Sequence, residues 1–342
     1  MKKLHFHIRT FGCQMNVHDS EQAAELLTGA GYGETSESGT ADILIVNTCS
    51  IRRKAEQKVM SLLGRYRRLK ERKPSRVVAV CGCMAQKYGE SLLEQFPQVD
   101  LVVGTHNIDR LPAMIEQARR EGKPLTETAF RDSVPSIGII APPRRECLSA
   151  YVTIMQGCNN FCAFCVVPHL RGREESRPLG DVLHEVETLT ARGIREITLL
   201  GQNVNSYGGT LGNGDNFPRL LRELDGIPSL ERVRFTTSHP KDLSPELMEC
   251  FGSLNKLCEH IHLPVQSGSD RVLKRMNRRY SASQYLEKVR KLKEICPSIA
   301  ITTDIIVGFP GEEEGDFRDT LNLMDAVKFD GAFSFKYSIR EG

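Results

Sequence analysis

The sequence predicts an α/β protein with two parts: an N-terminal Rossmann-like parallel α/β domain and a partial (βα)6 TIM barrel. Short apolar runs alternate with amphipathic helical runs along most of the 342 residues, a pattern typical of βαβ units on parallel sheets. Between 122 and 146 this periodicity fades into prolines and mixed charges, which predicts a linker. We therefore predict domains at 1–121 and 147–342.

The first domain contains four strand-like runs, each followed by a helix-like run. The predicted strands are 4–10, 42–47, 76–81 and 99–103, and the predicted helices lie at about 19–30, 51–72, 85–95 and 107–121. In open parallel sheets of this type, ligands bind beyond the carboxyl ends of the strands.

Three cysteines fall at those strand ends. Cys13 follows the first strand, Cys49 the second and Cys83 the third, so the topology would bring three thiols to one edge of the sheet. Three unrelated loop cysteines are the alternative, and the spacing alone does not separate the two. Cys81 competes with Cys83, but it lies within the period of the strand and is predicted to pack inward.

The second domain contains six strand-like runs and six helices, too few for a closed eight-fold barrel. The predicted strands are 150–156, 195–200, 231–236, 259–263, 300–307 and 331–337, and the helices lie near 178–192, 217–225, 244–253, 268–277, 281–295 and 313–328. In such barrels the chemistry sits on loops after the strands. Polar segments occupy these positions at 200–205, 237–240, 264–269 and 308–312.

The loop after the first barrel strand carries Cys158, Cys162 and Cys165 in a C-x3-C-x2-C spacing. A cubane iron–sulfur cluster is held by cysteine thiolates, so three of them leave one iron open to a substrate or cofactor. Structural zinc is the alternative, but it needs a fourth ligand at close spacing. Only His169, directly after Pro168, lies near.

Composition narrows the class of protein. The formal net charge is only +3, so the overall charge of the protein does not by itself indicate a nucleic-acid partner. The sequence has no apolar stretch of about 18 residues and no export signal, and its eleven cysteines therefore predict a cytoplasmic protein with reduced thiols. Basic runs at 65–73 and 271–279 are typical of solvated helix faces, with RNA contact as the alternative.

The cysteine triplet, with the aromatic Phe164 directly before its last member, resembles the radical S-adenosylmethionine (SAM) superfamily. The resemblance implies that a [4Fe-4S] cluster on the three cysteines binds SAM at its open iron, with Phe164 near the adenine. Polar residues on the barrel rim are candidate cofactor or substrate contacts. They are Gln202, Asn203, Ser238 and Gln266.

Read together with the segments 13–16, 47–52 and 82–86, the whole chain resembles the methylthiotransferases of that superfamily. The resemblance implies that Cys13, Cys49 and Cys83 hold an auxiliary [4Fe-4S] cluster. It also implies two uses of SAM: one molecule methylates a sulfur on the auxiliary cluster and another generates the radical. Both clusters would then face one chamber.

The substrate implied by the resemblance is adenosine 37 of tRNA bearing an isopentenyl group, which would be methylthiolated at carbon 2. Segments 171–177, 200–207, 238–242 and 276–280 are most similar to that branch. Other branches act on threonylcarbamoyladenosine in tRNA or on an aspartate of a ribosomal protein. A non-catalytic zinc RNA-binding protein is the alternative from another class.

Further partners follow from the resemblance. The base would flip out of the anticodon loop, an electron donor such as flavodoxin or ferredoxin would be needed, and a monomer is expected.

Family members usually continue into a small β-barrel TRAM domain after the region 337–342, and we expect that domain to be absent here. Phosphate contacts are predicted for Arg65, Arg67, Arg68, Arg275, Arg278 and Arg279.

Overall fold

The structure is a computed structural model that describes residues 3–50, 53–132, 134, 138–142 and 147–339. The chain forms two compact units. The first comprises Met1–Glu146 together with His169–Gly172, and the second comprises Cys147–Pro168 together with Arg173–Gly342.

The first unit is built on a six-stranded sheet with the order β2-β1-β3-β4-β5-β6, in which every pairing is parallel. Its strands are β1 (His5–Phe11), β2 (Gly33–Glu34), β3 (Ile43–Thr48), β4 (Val77–Gly82), β5 (Leu101–Val103) and β6 (Leu125–Glu127). The central strands β3 and β4 are buried at every position, as expected for parallel strands that are covered on both faces.

Helices cover both faces of this sheet. They are α1 (Gln14–Gly29), α2 (Arg53–Arg72), α3 (Cys83–Tyr88), α4 (Ser91–Gln95) and α5 (Leu111–Glu121). One apolar cluster includes Phe6, Leu27 and Ile115, and a second includes Leu63 and Tyr66. The two clusters take alternate residues of the central strands, and the parallel sheet confirms the predicted α/β fold of this domain.

Two short strands and one helix break were not predicted. β2 and β6 contain two and three residues, too few to show a period. β6 lies inside the predicted linker 122–146, yet Leu125 pairs with Leu101 and extends the sheet. The predicted helix 85–95 is divided into α3 and α4 because Gly89 adopts a left-handed φ of 50°.

The second unit contains an open barrel of parallel strands and a separate two-stranded antiparallel sheet. Its strands are β7 (Ser149–Thr153), β8 (Met155–Gln156), β9 (Glu175–Ser176), β10 (Glu196–Leu200), β11 (Arg232–Phe235), β12 (His260–His262), β13 (Ala300–Val307) and β14 (Gly331–Lys336). β7, β10 and β11 form one parallel sheet, and β12, β13 and β14 form another. A parallel bridge between Val233 and Leu257 joins them, so the strands follow the chain order of the predicted (βα)6 barrel.

One helix follows each of the six barrel strands except the last, and α6 and α10 add two short turns of helix. The helices are α6 (Val167–Arg171), α7 (Leu179–Ala191), α8 (Phe217–Asp225), α9 (Pro245–Ser253), α10 (Asp270–Arg275), α11 (Ala282–Ile295) and α12 (Glu314–Val327). Ser244, Ser269 and Ser281 cap α9, α10 and α11 by accepting a hydrogen bond from the backbone N–H three residues on, as N-cap serines do.

Across the part of the chain that the structure describes, every helix is too short or too polar to cross a lipid bilayer.

Residues 169–172 belong to the first unit although they follow the cysteine triplet of the second. The Thr105 hydroxyl donates to the carbonyl of Leu170 at 2.6 Å, and the His106 ring donates to that of Arg171 at 3.0 Å. The guanidinium of Arg171 contacts the Asp19 carboxylate at 2.6 and 3.3 Å. The pair is buried, with side-chain exposures of 4% and 10%.

Replacing Arg171 with alanine should destabilise the first unit strongly, because it leaves the Asp19 carboxylate buried without its cation. Loss of one partner from a buried pair costs about 3–5 kcal/mol. The free energy of unfolding should therefore fall by about that amount when Arg171→Ala is compared with the parent by urea unfolding.

The matched control is Arg67→Ala, which removes an ion pair with Glu71 whose side chains are 70% and 61% exposed. Exposed pairs of this kind contribute about 0.5 kcal/mol or less. Equal unfolding midpoints for the two variants would contradict the structural role of Arg171.

Candidate active site

The three cysteines of the first unit lie at the carboxyl ends of three adjacent strands. In the sheet register Phe11 is opposite Thr48, and Thr48 is opposite Gly82. Cys13, Cys49 and Cys83 each follow one of these positions by one or two residues. The Cys49 backbone N–H donates to the Phe11 carbonyl at 2.8 Å. The structure thus brings the three predicted cysteines to one edge of the sheet.

Two glycines allow the strand ends to approach closely. A Cβ atom on Gly12 would lie 2.8 Å from Cβ of Cys49. Gly82 has a φ of 88°, and a Cβ atom there would lie 2.4 Å from Oδ1 of Asn47 and 2.7 Å from the Thr48 carbonyl. Any other residue at these positions would push the cysteine-bearing turns apart.

Two buried asparagines, Asn16 and Asn47, connect these turns by hydrogen bonds. Asn16 accepts a hydrogen bond from the Cys13 backbone N–H at 3.3 Å and donates to Oδ1 of Asn47 and to the Thr48 carbonyl, also at 3.3 Å. Asn47 in turn donates to the Asn16 carbonyl and the Ser20 hydroxyl, both at 2.9 Å. The sequence analysis assigned no role to these asparagines. Their proximity in sequence to Cys13 and Cys49 could have indicated that they belong to the site.

Cys81 and Cys83 occupy different environments. Cys81 packs in the apolar cluster around Phe6 and Ile115, where burial and then the Asp19 charge raise its pKa to about 12. Burial also raises the pKa of Cys83, but the Arg171 guanidinium acts against that shift. Cys83 therefore differs from Cys81 in lying beside a cation, the Arg171 guanidinium.

The second cysteine site follows β8 in the barrel unit. Gly157, with a φ of 79°, turns the chain out of the strand, and the Cys165 N–H donates to the Cys162 carbonyl at 2.9 Å. The residues after α10 hold this loop. Ala163 N–H donates to the Met276 carbonyl at 3.0 Å, and the Asn277 amide donates to the carbonyls of residues 160 and 161 at 3.2 and 3.0 Å.

The three thiols of this loop are close enough to interact electrostatically. Burial raises the pKa of Cys158 and takes that of Cys165 to about 11, and the neighbouring Cys162 adds to both shifts. Cys158 and Cys165 are therefore neutral thiols at physiological pH, and binding of iron would have to displace their protons.

Arg278 contacts this site and does not face solvent. Its side chain is buried, and Nη1 lies 3.4 Å from Sγ of Cys162. The prediction that Arg278 contacts RNA phosphate is therefore wrong, since a buried guanidinium cannot reach a polyanion in solvent. Arg65, Arg67, Arg68, Arg275 and Arg279 are exposed, and their RNA contacts stay a prediction.

Several of the buried polar atoms that lack a hydrogen-bond partner among the described residues lie at strand ends of the second unit. They are Nε2 of Gln156, Nε2 of Gln202, Oδ1 of Asn203, Oγ of Ser238 and Oε1 of Gln266. Each such atom costs free energy unless a ligand or water satisfies it.

These atoms suit a ligand such as SAM, whose amino, carboxylate and hydroxyl groups both donate and accept hydrogen bonds. Gln202, Asn203, Ser238 and Gln266 are the four contacts predicted from the sequence, whereas Gln156 was missed. Gln266 also has a strained φ of 71°, a feature that clusters at ligand sites.

Other residues of the rim were not predicted either. The Asn203 amide donates to the Asp242 carboxylate at 2.7 Å, and the Ser206 hydroxyl donates to Glu174 at 2.7 Å. Burial raises the pKa of Glu174. Phe164 is half-buried against Val272, Met276 and Phe309, and its contact with adenine stays a prediction.

Among the residues with described side chains, no three His, Cys, Asp or Glu groups converge on the position of a single metal ion. The donor type at both cysteine sites is nevertheless the one that holds a cubane cluster, since each site offers three cysteine sulfurs.

Two family models match this chain. Residues 5–104 match the "uncharacterized protein family UPF0004", and residues 152–324 match the radical SAM superfamily. The two matches contain all six predicted cluster cysteines.

Curated relatives match along the whole chain. A protein of Syntrophus aciditrophicus named tRNA-2-methylthio-N(6)-dimethylallyladenosine synthase is 54% identical over 100% of this chain and 74% of its own length. A protein of Geobacter metallireducens with the same name is 53% identical over 98% of this chain and 76% of its own.

A solved structure shares the fold. The radical S-adenosylmethionine methyltransferase TsrM of Kitasatospora setae, with tryptophan and a SAM analogue bound, superposes with a TM-score of 0.71 at 14% identity. The alignment covers 97% of this chain and 73% of that one. Family matches and whole-chain identities above one half lead to one conclusion. The chain belongs to the radical SAM superfamily and, within it, to the family of tRNA-2-methylthio-N(6)-dimethylallyladenosine synthases.

Proposed function

We propose that this chain transfers a methylthio group to carbon 2 of N6-isopentenyladenosine 37 in tRNA, using two [4Fe-4S] clusters and SAM as both radical source and methyl donor. The observation that carries the proposal is the second three-cysteine site. Cys158, Cys162 and Cys165 suffice for a radical SAM cluster, so Cys13, Cys49 and Cys83 are available for an auxiliary one. The family name shared by the relatives supports the substrate.

Carbon 2 of adenine bears an unactivated C–H bond, which acid–base catalysis cannot break. A cluster with SAM bound supplies one-electron chemistry that can break it, and the protein supplies binding and orientation. In this chain the polar rim atoms of Gln156, Gln202 and Gln266 would hold the polar ends of SAM. Their burial keeps water from competing for the same hydrogen bonds.

The remaining partners are part of the same proposal. We expect an external low-potential electron donor such as flavodoxin or ferredoxin, a monomeric enzyme and a cytoplasmic location, where tRNA is found. We also expect the target base to be flipped out of the anticodon loop, since recognition of RNA sequence commonly targets unstacked loop bases.

Iron content should separate the two cysteine sites. After anaerobic reconstitution the parent should hold about eight irons per chain. The triple variants Cys13→Ala/Cys49→Ala/Cys83→Ala and Cys158→Ala/Cys162→Ala/Cys165→Ala should each hold about four, measured together with acid-labile sulfide.

Cys81→Ala is the matched control, because Cys81 lies two residues from Cys83 but packs in the apolar cluster. It should keep the iron content of the parent. Loss of iron in Cys81→Ala with retention in Cys83→Ala would reverse the assignment of the ligand, and zinc in place of iron would favour the RNA-binding alternative.

Substrate choice tests the function itself. With SAM and a reductant, the parent should add a methylthio group to tRNA carrying isopentenyladenosine 37, detected by nucleoside mass spectrometry. Unmodified tRNA, threonylcarbamoylated tRNA and ribosomal protein should remain unchanged. A product on either of the last two in place of isopentenylated tRNA would assign the chain to another branch.

Phosphate binding by the basic helices should appear as a salt dependence of tRNA affinity. Removing one arginine that binds a phosphate should reduce the slope of log K against log salt by about 0.7–0.9. We expect Arg65→Glu/Arg68→Glu or Arg275→Glu/Arg279→Glu to flatten that slope in filter-binding titrations. Arg119→Glu/Arg120→Glu, on α5, makes the same change in net charge and is the control. Slopes equal to the control in both variants would remove both groups from the footprint.

A further inference from the structure

Arg278 is a buried cation whose hydrogen-bond partners are neutral. Its side chain is only 4% exposed. Nη2 donates to the Pro264 carbonyl at 2.6 Å and Nε donates to the Tyr280 hydroxyl at 3.0 Å. Within the described ranges no carboxylate lies at ion-pair distance from Arg278, whereas the buried Arg171 and Arg177 are paired with Asp19 and Glu185.

A buried charge requires an opposite charge or an equivalent set of dipoles. The remaining group that Arg278 contacts is the Cys162 thiol, 3.4 Å from Nη1. A thiol is a weak acceptor, but a thiolate bound to iron is an anion. The guanidinium is therefore placed for the cluster-bound state of Cys162.

The backbone fixes Arg278 in this orientation. Asn277 and Arg279, on either side of it, both adopt left-handed conformations with φ of 58° and 56°. Asparagine tolerates this conformation, whereas it is unfavourable for arginine. These two residues turn Arg278 inward while Arg279 remains exposed. The Tyr280 hydroxyl, which accepts from Arg278, donates to the Val265 carbonyl at 2.8 Å, so the acceptor is itself held in place.

A second nitrogen faces the same sulfur without adding charge. Nε2 of His239 lies 3.9 Å from Sγ of Cys162. Nδ1 accepts from the Lys241 backbone N–H at 3.2 Å, which leaves the ring proton on Nε2, toward Cys162. The positive charge beside Cys162 is therefore that of Arg278.

We propose that Arg278 is a positioning residue that stabilises the Cys162 thiolate and raises the reduction potential of the radical SAM cluster. This inference rests on the proposed function, since it takes Cys162 as a cluster ligand. Reduction adds one electron from an external low-potential donor and no proton, so the cluster becomes more negative by one charge. A fixed cation nearby stabilises that reduced state. Removing it should make the cluster harder to reduce.

The test is a redox titration with dithionite, followed by electron paramagnetic resonance, in the Cys13→Ala/Cys49→Ala/Cys83→Ala background. Only the cluster of the second unit then contributes to the signal. Arg278→Gln should shift the midpoint potential to more negative values by at least 59 mV, a tenfold change for a one-electron couple. Arg278→Lys keeps the charge and should retain most of the parent potential. Arg279→Gln, at the exposed neighbour, should leave it unchanged.

Several outcomes would overturn the inference. One is a cluster in Arg278→Gln whose midpoint potential equals that of the parent. Another is an equal shift in Arg278→Lys and Arg278→Gln, which would mean that shape and not charge is responsible. If Arg278→Gln fails to bind iron, the iron content of Arg278→Lys becomes the test. Iron binding by Arg278→Lys would support the role of charge, and its failure to bind iron would refute it. A parent that binds no cluster would instead refute the proposed function.

Discussion

Parallel strands that end at a common edge are the constraint on which this molecule depends. In the first unit the register of β1, β3 and β4 places residues 11, 48 and 82 side by side, and one cysteine follows each strand. Because the strands are parallel, three thiols separated by more than thirty residues in sequence meet without any dedicated connecting structure. The barrel unit uses the same rule for Gln202 and Ser238, which follow the parallel strands β10 and β11.

Some polar side chains at the strand ends of the second unit make only part of their possible hydrogen bonds. The Asn203 amide nitrogen is held by Ser206 and Asp242, yet its Oδ1 has no partner among the described residues. Gln202 is similar: its oxygen accepts from the Gly157 N–H, and its Nε2 has no partner in the described part of the chain. Such half-bonded amides are fixed in orientation before a ligand arrives. We expect ligand binding to offset the unfavourable burial of these atoms, with little loss of side-chain entropy because the amides are already ordered.

The sequence was sufficient to predict what depends on periodicity. The four main strands of the first unit and the six of the barrel were predicted close to their observed positions, and the period of β4 distinguished Cys81 from Cys83. Features set by short-range geometry were not predictable. β2 and β6 are too short to show a pattern. Residues 169–172 join the first unit through tertiary hydrogen bonds, which no local sequence pattern predicts.

Arg278 shows the limit of a helical pattern most clearly. Continuing the period of Arg271, Lys274 and Arg275 placed it on a solvated basic face, but α10 ends at Arg275 and the left-handed residues 277 and 279 reverse the chain.

The two cysteine sites consequently differ in net charge. In the first unit the cation beside Cys83 is Arg171, and Asp19 neutralises it at 2.6 Å. In the second unit Arg278 is beside Cys162, and within the described ranges no carboxylate pairs with it. A paired arginine acts mainly as a rigid donor, whereas an unpaired one also contributes a full charge to the sulfur that it contacts. The surroundings of Cys162 therefore favour gain of an electron more than those of Cys83. This agrees with the function that we propose, in which a cluster on Cys158, Cys162 and Cys165 would accept electrons and one on Cys13, Cys49 and Cys83 would provide sulfur.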